Sequence, residues 1–316
     1  MKKESGFFKS SDEKNNIYYV IWEPDDCEPV AVLQIIHGMI EHIGRYEELA
    51  RFLTSHKIAV IGNDMLGHGN TVANKKDLGF FAYKNGSKFL TNDAYTVHTI
   101  GLKKFPDSKH FLLGNSMGSF IVRQFLYTYP HSDISGALII GTAHSSLNIL
   151  RLARLLTDSY CKTFGSRYRS KLICALTIGK KRRIFKKENN VFASMTTDNN
   201  ERENLRNDEF SNFFFTVSGY RDMFDLISNL YLPKNLSRIS KKIPILISSG
   251  SMDPIGSFGV EPERVYNQYK KLGVEDITFK LWRGLRHDII HEKNRENVYK
   301  YLYSWINNHI DNKEKK

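Results

Sequence analysis

Cysteine pairs, long apolar runs and a secretory leader are features that this sequence lacks. Its 316 residues include Cys27, Cys161 and Cys174, an odd number without metal-ligand spacing. Such thiols indicate a reducing compartment and no disulfide framework. No window approaches 18 uncharged apolar residues, so we predict no membrane-spanning helix. The basic N-terminus has no apolar core behind it, and we therefore expect no secretory signal and a cytoplasmic protein.

Positive charge is concentrated in one part of the chain. The net charge is +12, and the stretch from Arg151 to Lys187 holds twelve Lys or Arg against one acid, Asp158. The rest of the chain is nearly neutral. A nucleic-acid binder would also be basic, but the sequence has no base-reading motif and no basic–aromatic repeat. We expect no nucleic-acid partner, and a local basic patch suited to an anionic surface or substrate.

One glycine-flanked serine lies where a strand pattern passes directly into a helix pattern. The apolar run Phe111–Leu113 leads into Gly114-Asn115-Ser116-Met117-Gly118, and helical periodicity begins at once. This is the context of the Gly-x-Ser-x-Gly nucleophile elbow. The glycines suit it, because side chains beside such a strained turn would collide with the strand or the helix. A plain Gly–Ser turn shares the motif, but the strand and helix favour Ser116 as a nucleophile.

Strands and helices alternate along most of the chain. The predicted strands are Ile17–Trp22, Val30–Ile36, Ile58–Asn63, Phe111–Leu113, Gly136–Gly141, Ile243–Ser249 and Ile277–Trp282. Helices are predicted from Arg45 to His56, from Thr91 or Asn92 to Phe105, after the elbow to Tyr129, from Glu263 to Leu272 and from Lys293 to His309. This order is typical of an α/β fold with a mostly parallel sheet and helices on both faces. Ligands bind such sheets beyond the carboxyl ends of their strands.

The alternation is interrupted from residue 145 to residue 236, where no core strand is predicted. We expect this stretch to be a helical lid inserted after the fifth core strand, between core parts 1–144 and 237–316. Apolar bands at Leu147–Leu156 and Tyr168–Ile178 lie beside the basic cluster Lys180–Lys187. The bands have three possible roles: packing on the sheet domain, lining an acyl-chain pocket, or resting on a membrane.

A nucleophilic serine needs a base, and the base needs an orienting acid. Asp253 follows one late strand and His287 follows the next, which puts both at the sheet edge of Ser116. Serine, aspartate, histidine is the chain order of α/β-hydrolases. Asp253 in a simple Asp–Pro turn and His291 as the base are the alternatives. His291 lies inside a predicted helical turn, which favours His287.

Acyl transfer also needs backbone N–H donors for the developing oxyanion. Met117, directly after the nucleophile, supplies one donor. Met39 is best placed to supply the other, because it follows His37-Gly38 in the loop after the strand Val30–Ile36. His37 and His42 are predicted to be structural hydrogen-bonding residues rather than catalysts.

Five segments in this order resemble the monoacylglycerol lipase and lysophospholipase group of α/β-hydrolases. They are His37–Tyr46, Asp64–Gly69, the elbow, Ser249–Gly256 and Arg286–Glu292. The resemblance implies an α/β-hydrolase fold, Ser116, Asp253 and His287 as catalytic triad, and Met39 and Met117 as oxyanion donors. Asn115 departs from the group, which most often has histidine there. The 145–236 stretch resembles no member clearly, so the resemblance does not extend to the substrate.

The sequence therefore predicts a serine carboxylic ester hydrolase, working on single-chain glycerolipids through an acyl-enzyme, with no metal and no cofactor. The basic lid would allow peripheral contact with an anionic membrane. One alternative is an aminopeptidase of the same fold, which would need a lid carboxylate to hold the substrate's amino group. The other is a non-catalytic binding protein on this scaffold. The candidate lid carboxylates are Glu201, Glu203, Asp208 and Glu209.

Overall fold

A computed structural model describes residues 1–179 and 183–310, in which one eight-stranded sheet has the order β1-β2-β4-β3-β5-β6-β7-β8. The strands are β1 Lys2–Lys9, β2 Asn16–Glu23, β3 Ala31–Ile36, β4 Ile58–Asn63, β5 Lys109–Asn115, β6 Gly136–Ile140, β7 Ile245–Gly250 and β8 Ile277–Trp282. Only the β1–β2 and β2–β4 pairs of this sheet are antiparallel. The predicted mostly parallel sheet is confirmed.

Helices cover both faces of the sheet. They are α1 Glu47–Thr54, α2 Gly86–Lys104, α3 Met117–Thr128, α4 Leu147–Phe164, α5 Lys171–Cys174, α6 Asn199–Asn207, α7 Val217–Asn229, α8 Pro233–Leu236, α9 Val260–Lys271 and α10 Arg295–Ile310. Side chains alternate along β5, because successive residues of a strand point to opposite faces. Leu112 packs in the cluster that contains α3 and α9, whereas Leu113 packs in the cluster that contains α1 and α10.

The N-terminal strand β1 was not predicted. It pairs antiparallel with β2 at the sheet edge, and most of its side chains are exposed. The strand β1 has no continuous apolar run, and such a run is the pattern that predicts the other strands. The stretch from 145 to 236 follows β6, which is the fifth predicted strand and the sixth strand of the sheet once β1 is counted.

The insertion, which we define as residues 145–236, contains helices α4 to α8 and no strand among its described residues. Leu150 of α4 and Met223 of α7 belong to the same buried cluster as sheet residues Ile36 and Ile247. The boundaries 1–144, 145–236 and 237–316 stay a prediction. Lys180, Lys181 and Arg182 of the basic cluster lie outside the described residues, as do residues 311–316.

None of the helices in the described ranges is long and apolar enough to cross a membrane.

Candidate active site

The turn from β5 into α3 holds Ser116 in a strained backbone conformation. Its φ of 52° and ψ of −115° are ones that L-residues rarely adopt. The flanking glycines are required by close backbone contacts. A Cβ on Gly118 would lie 2.0 Å from the Ile36 carbonyl oxygen, and one on Gly114 would lie 2.3 Å from the Gly118 carbonyl oxygen. The backbone packing therefore explains the Gly-x-Ser-x-Gly pattern.

The structure brings Ser116, Asp253 and His287 together at the carboxyl edge of the sheet. His287 Nε2 lies 2.8 Å from Ser116 Oγ, and His287 Nδ1 lies 2.9 Å from Asp253 Oδ2. Asp253 is fully buried and His287 is 1% exposed. With Nδ1–H donating to the carboxylate, Nε2 is left to accept the proton of the serine hydroxyl. The three residues have the geometry of a nucleophile, a base and an orienting acid.

The electrostatics of the pair match these roles. Burial alone would lower the pKa of His287, but the Asp253 carboxylate outweighs it and holds the pKa above 6.5. Burial would raise the pKa of Asp253, but His287 and backbone N–H donors hold that pKa below its ordinary value. Ser249 Oγ also donates to Asp253 Oδ2 at 3.2 Å, and the Ile255 N–H donates to Oδ1 at 2.8 Å. Asp253 is therefore a fixed carboxylate.

The loop after β3 lies against the elbow. Met39 and Met117 both line the pocket at Ser116, and neither backbone N–H donates to an acceptor in the described part of the chain. The loop is held by a side chain, because the Gly38 N–H donates to Glu41 Oε1. Ile40 has a positive φ of 60°, which turns the backbone sharply. The predicted donors thus lie beside the nucleophile.

A buried ion-pair network next to the triad is what sequence reasoning missed. Arg45 donates to Glu41 Oε2 and, at 2.9 Å, to Asp288 Oδ2. Asn115 Nδ2 lies 3.4 Å from oxygens of both carboxylates. Glu41 is 4% exposed and Asp288 is fully buried. Glu41 and Arg45 follow His37-Gly38 in the sequence, and Asp288 follows His287. Their position beside motif residues was the signal that could have indicated them.

His291, the alternative base, belongs to this network. Its Nδ1 lies 2.9 Å from both Asp288 carboxylate oxygens, and its Nε2 lies 3.0 Å from the Arg45 carbonyl oxygen. Burial and Arg45 act to lower the pKa of His291, but Asp288 raises it above its ordinary value. Because both ring nitrogens face acceptors, the imidazole is a double donor and has no lone pair for a proton from serine.

The network also has the ligand types of a metal site. Oxygen and nitrogen atoms of Glu41, Asp288 and His291 lie within 4.8 Å of one another. However, Arg45 already pairs with both carboxylates, and both nitrogens of His291 are used in hydrogen bonds. The donor set therefore fits an ion-pair network that supports two loops, not a cation site.

The other two histidines near the oxyanion loop make structural contacts. His37 Nδ1 donates to the Gly38 carbonyl at 2.8 Å, and its Nε2 accepts the Met65 N–H at 3.1 Å. Burial holds the pKa of His37 well below 6.5. His42 Nε2 lies 3.0 Å from Asp208 Oδ2 in the insertion.

A pocket of about 470 Å³ opens onto Ser116 and His287, a volume typical of small-molecule sites. Its walls are mostly apolar and come from α4, α5, α7 and the residues around them. No acidic side chain of the described residues lines it. Most of the lining side chains are Met39, Ile40, Met117, Phe120, Ile149, Leu150, Leu152, Ala153, Leu156, Ile173, Leu176, Met195, Met223, Phe224 and Ile227.

Most of the chain is similar to known proteins. Residues 27–294 match the family Hydrolase_4, described as serine aminopeptidase, S33. Phospholipase YtpA of Bacillus subtilis is 24% identical over 291 residues, 92% of this chain and 99% of that protein. Monoglyceride lipase of Mus musculus is 25% identical over 300 residues, 92% of this chain and 86% of that protein.

A solved structure shows the same fold. The thermostable carboxyl esterase from Bacillus coagulans superposes with a TM-score of 0.90 at 22% sequence identity, over 98% of this chain and 99% of that chain. The α/β-hydrolase fold implied by the sequence resemblance is thereby confirmed.

Proposed function

The chain belongs to the Hydrolase_4 family, described as serine aminopeptidase, S33, and we propose that it is a serine carboxylic ester hydrolase acting on single-chain lipids such as monoacylglycerols or lysophospholipids. The observation that carries the proposal is the apolar pocket ending at Ser116 and His287. Two threonines in its wall bond within their own helical turns, Thr157 to the Ala153 carbonyl and Thr177 to the Ile173 carbonyl. Their hydroxyls are thus already used, and the wall is suited to an acyl chain.

The expected chemistry follows from the contacts of the triad. His287 Nε2 takes the proton of Ser116 Oγ while Oγ attacks the ester carbonyl carbon, and the Met39 and Met117 N–H groups stabilise the oxyanion. The protonated imidazole then gives its proton to the departing alcohol. Water, deprotonated by His287, releases the fatty acid from the acyl-enzyme. Asp253 orients the imidazole and stabilises its cation. These residues need no metal or cofactor for these steps.

Amide hydrolysis at a free amino terminus is the second candidate, because the family description names an aminopeptidase. A carboxylate would have to hold the substrate's ammonium group inside the pocket. The candidate carboxylates are used elsewhere: Glu201 bonds Arg45, Glu203 bonds Arg206, Asp208 bonds His42 and Glu209 bonds Lys75. The absence of an acidic side chain among the described lining residues favours an ester substrate.

Peripheral contact with an anionic membrane is the remaining part of the proposal. Several apolar side chains of the insertion are more than half exposed, including Ile149, Leu152 and Leu176, which also line the pocket. Arg151, Lys162 and Lys171 form no ion pair with any described residue. Three acids of the insertion, Glu201, Glu203 and Glu209, pair with cations outside the basic cluster. A cytoplasmic protein with this surface could reach a lipid substrate without a spanning helix.

The substitution Ser116→Ala tests the function directly. It removes one oxygen, so the fold should remain while ester hydrolysis falls by about 10⁴-fold or more, because triad members act as a unit. Rates are measured on monoacylglycerols, lysophospholipids, short p-nitrophenyl esters and aminoacyl amides. A fluorophosphonate should label the wild type at Ser116 only. Label on another serine, or faster cleavage of the amides than of any ester, would contradict the proposal.

A further inference from the structure

The catalytic histidine lies on a loop that is bonded to the insertion. We call residues 283–292 the histidine loop and residues 185–197 the strap, because this part of the insertion lies along the loop. The Asp288 N–H donates to the Met195 carbonyl at 2.8 Å, and the His287 N–H lies 3.4 Å from the Ser194 carbonyl oxygen. The Arg286 guanidinium donates to the Ala193 carbonyl. Consecutive residues of the loop thus bond consecutive residues of the strap.

The Arg286 side chain is enclosed by the strap. Its Nη2 lies 2.5 Å from Glu188 Oε1 and its Nη1 lies 3.1 Å from Oε2, a bidentate pair. The Phe185 ring covers the guanidinium at 3.9 Å. The side chain is only 11% exposed. A bidentate pair with a stacked ring fixes the guanidinium in both position and plane, as a lysine ammonium could not be fixed.

A buried carboxylate holds the same loop from its other end. Glu292 is fully buried. Its Oε1 accepts the Arg286 N–H at 2.8 Å, and its Oε2 accepts the Thr197 N–H at 2.9 Å and the Thr196 hydroxyl at 3.1 Å. The backbone and the side chain of Arg286 are therefore both tied to the strap, directly or through one carboxylate.

The geometry points to Arg286 as a positioning residue for His287, acting through the strap. Its guanidinium binds Glu188, Ala193 and Phe185 and is not part of the pocket lining, so it is not a catalytic residue. It fixes the loop that carries the His287 imidazole, whose Nε2 lies 2.8 Å from Ser116 Oγ. Met195, which accepts the Asp288 N–H, also lines the pocket. The strap therefore forms part of the active site. The inference rests on the proposed role of His287 as base.

A matched control exists within the insertion. Arg167 also lies 3.9 Å over a phenylalanine ring, that of Phe80, and also pairs with a carboxylate, Asp77. It ties the insertion to a surface segment instead of the histidine loop. Arg286→Met and Arg167→Met therefore remove the same kind of contact at two places, of which only one adjoins His287.

We expect Arg286→Met to lower kcat for a short soluble p-nitrophenyl ester by about 10- to 100-fold, since small misplacements of a catalytic group have effects of that size. KM should change by less than about twofold, because the substitution removes no side chain of the pocket wall. Arg286→Lys should recover part of the kcat, and Arg167→Met should keep the wild-type kcat. Labelling by a fluorophosphonate should slow in parallel with kcat. Melting temperatures confirm that each variant is folded in the assay.

Equal kcat for Arg286→Met and Arg167→Met, or a loss confined to KM, would overturn the inference. If Arg286→Met does not fold, Glu188→Gln and Arg286→Lys take its place, and both should lower kcat without changing KM; wild-type kcat in both would overturn it. If the wild type cleaves no ester, but Arg286→Met is still labelled at Ser116 more slowly than the wild type, the proposed substrate is rejected and the positioning role is kept. If the wild type cleaves esters and Arg286→Met cleaves them equally fast, the proposed substrate is kept and the positioning role is rejected.

Discussion

His287 and His291 lie four positions apart, and their hydrogen-bond partners decide their different roles. His287 Nε2 faces a hydroxyl that can give up a proton, whereas both nitrogens of His291 face oxygen acceptors. A general base needs a free lone pair directed at the proton to be removed. The helical turn at His291 already favours His287 in the sequence, and the contacts of the two side chains separate their roles.

Substitution of each histidine by alanine should separate these roles. His287→Ala should lower kcat by about 10⁴-fold or more, as Ser116→Ala does. His291→Ala should keep most of the activity and instead lower the melting temperature, because Asp288 loses a buried donor, a loss of about 1–3 kcal/mol. Initial rates on a soluble ester and thermal melts of both variants test this. An inactive His291→Ala with an active His287→Ala would show that the base is misassigned.

The pH dependence of kcat/KM should report the contact between His287 and Asp253. Activity requires the neutral imidazole, so kcat/KM rises as the pH passes upward through the pKa of His287. The Asp253 carboxylate raises that pKa above 6.5. Asp253→Asn removes the negative charge, so the rise should move to lower pH while the plateau falls, though by no more than in Ser116→Ala. Profiles over about pH 5 to 9 test this; an unmoved rise would mean that Asp253 does not act on His287.

Among the elements, helix α2 begins earlier than its sequence indicates. A start at Thr91 or Asn92 was predicted, whereas the helix runs from Gly86. The buried carboxylate of Asp222 in α7 lies at this end, where a Cβ on Gly86 would meet its Oδ2 at 2.1 Å. Glycine is therefore required at this end by a contact between residues 136 positions apart, which no local pattern contains.

Helix α4 has a buried side and an exposed side. Leu150 is 3% exposed and Thr157 is fully buried, whereas Leu152 is 70% and Leu155 is 66% exposed. The sequence left open whether its apolar band packs on the sheet domain, lines an acyl pocket or meets a membrane. The structure places members of the band in the core and in the pocket wall. Membrane contact by the exposed leucines stays a proposal.

If the insertion contacts an anionic membrane, its cations should contribute to the binding. Neutralising Arg151, Lys162 and Lys171 to Gln should weaken binding to anionic vesicles, because each cation near such a surface is worth about 1 kcal/mol. Added salt should act in the same way. Co-sedimentation measures the binding. Activity on a short soluble ester should stay unchanged, since the triad lies on the sheet domain.

The matched control neutralises cations at the opposite edge of the sheet. Lys57 precedes β4, and Lys241 and Lys242 precede β7, so all three lie away from the carboxyl edge. The control variant should bind anionic vesicles as the wild type does. Equal binding by both triple variants at low salt would reject a specific role for the insertion.

At the scale of the whole molecule, the insertion and the sheet share one hydrophobic cluster. Ile173 and Tyr220 of the insertion pack in the same buried cluster as Leu112 and Ile247 of the sheet. Ion pairs join them as well, for example Arg45 with Glu201 and Arg295 with Asp198. A shared core of this kind makes the unfolding of one part depend on the other.

We therefore expect one cooperative unfolding transition. The three tryptophans, Trp22, Trp282 and Trp305, all lie outside the insertion, so their fluorescence reports the sheet domain alone. Far-UV circular dichroism also reports the helices of the insertion. The two melting curves should coincide. A loss of helix signal at lower temperature than the fluorescence change would show that the insertion unfolds separately.

The sequence by itself determined what depends on local pattern. Apolar runs gave β4 and β8 with their observed bounds, and the elbow motif placed Ser116 between a strand and a helix. Because parallel strands end at one edge, the residues after them, Asp253 and His287, were predicted to lie near Ser116. Chain order and periodicity are sufficient for these inferences.

Only the tertiary structure decided how distant segments support that site. The β1 edge strand has no apolar pattern because most of its side chains are exposed, and it is held in the sheet by pairing with β2. The contact of Arg45 with Asp288 joins positions 243 apart, and that of Arg286 with Glu188 joins positions 98 apart. A charge that folding removes from water needs a partner, because an unpaired buried charge is costly. A sequence shows each charge but not the partner it meets, so the network around the histidine loop became visible only once the chain was folded.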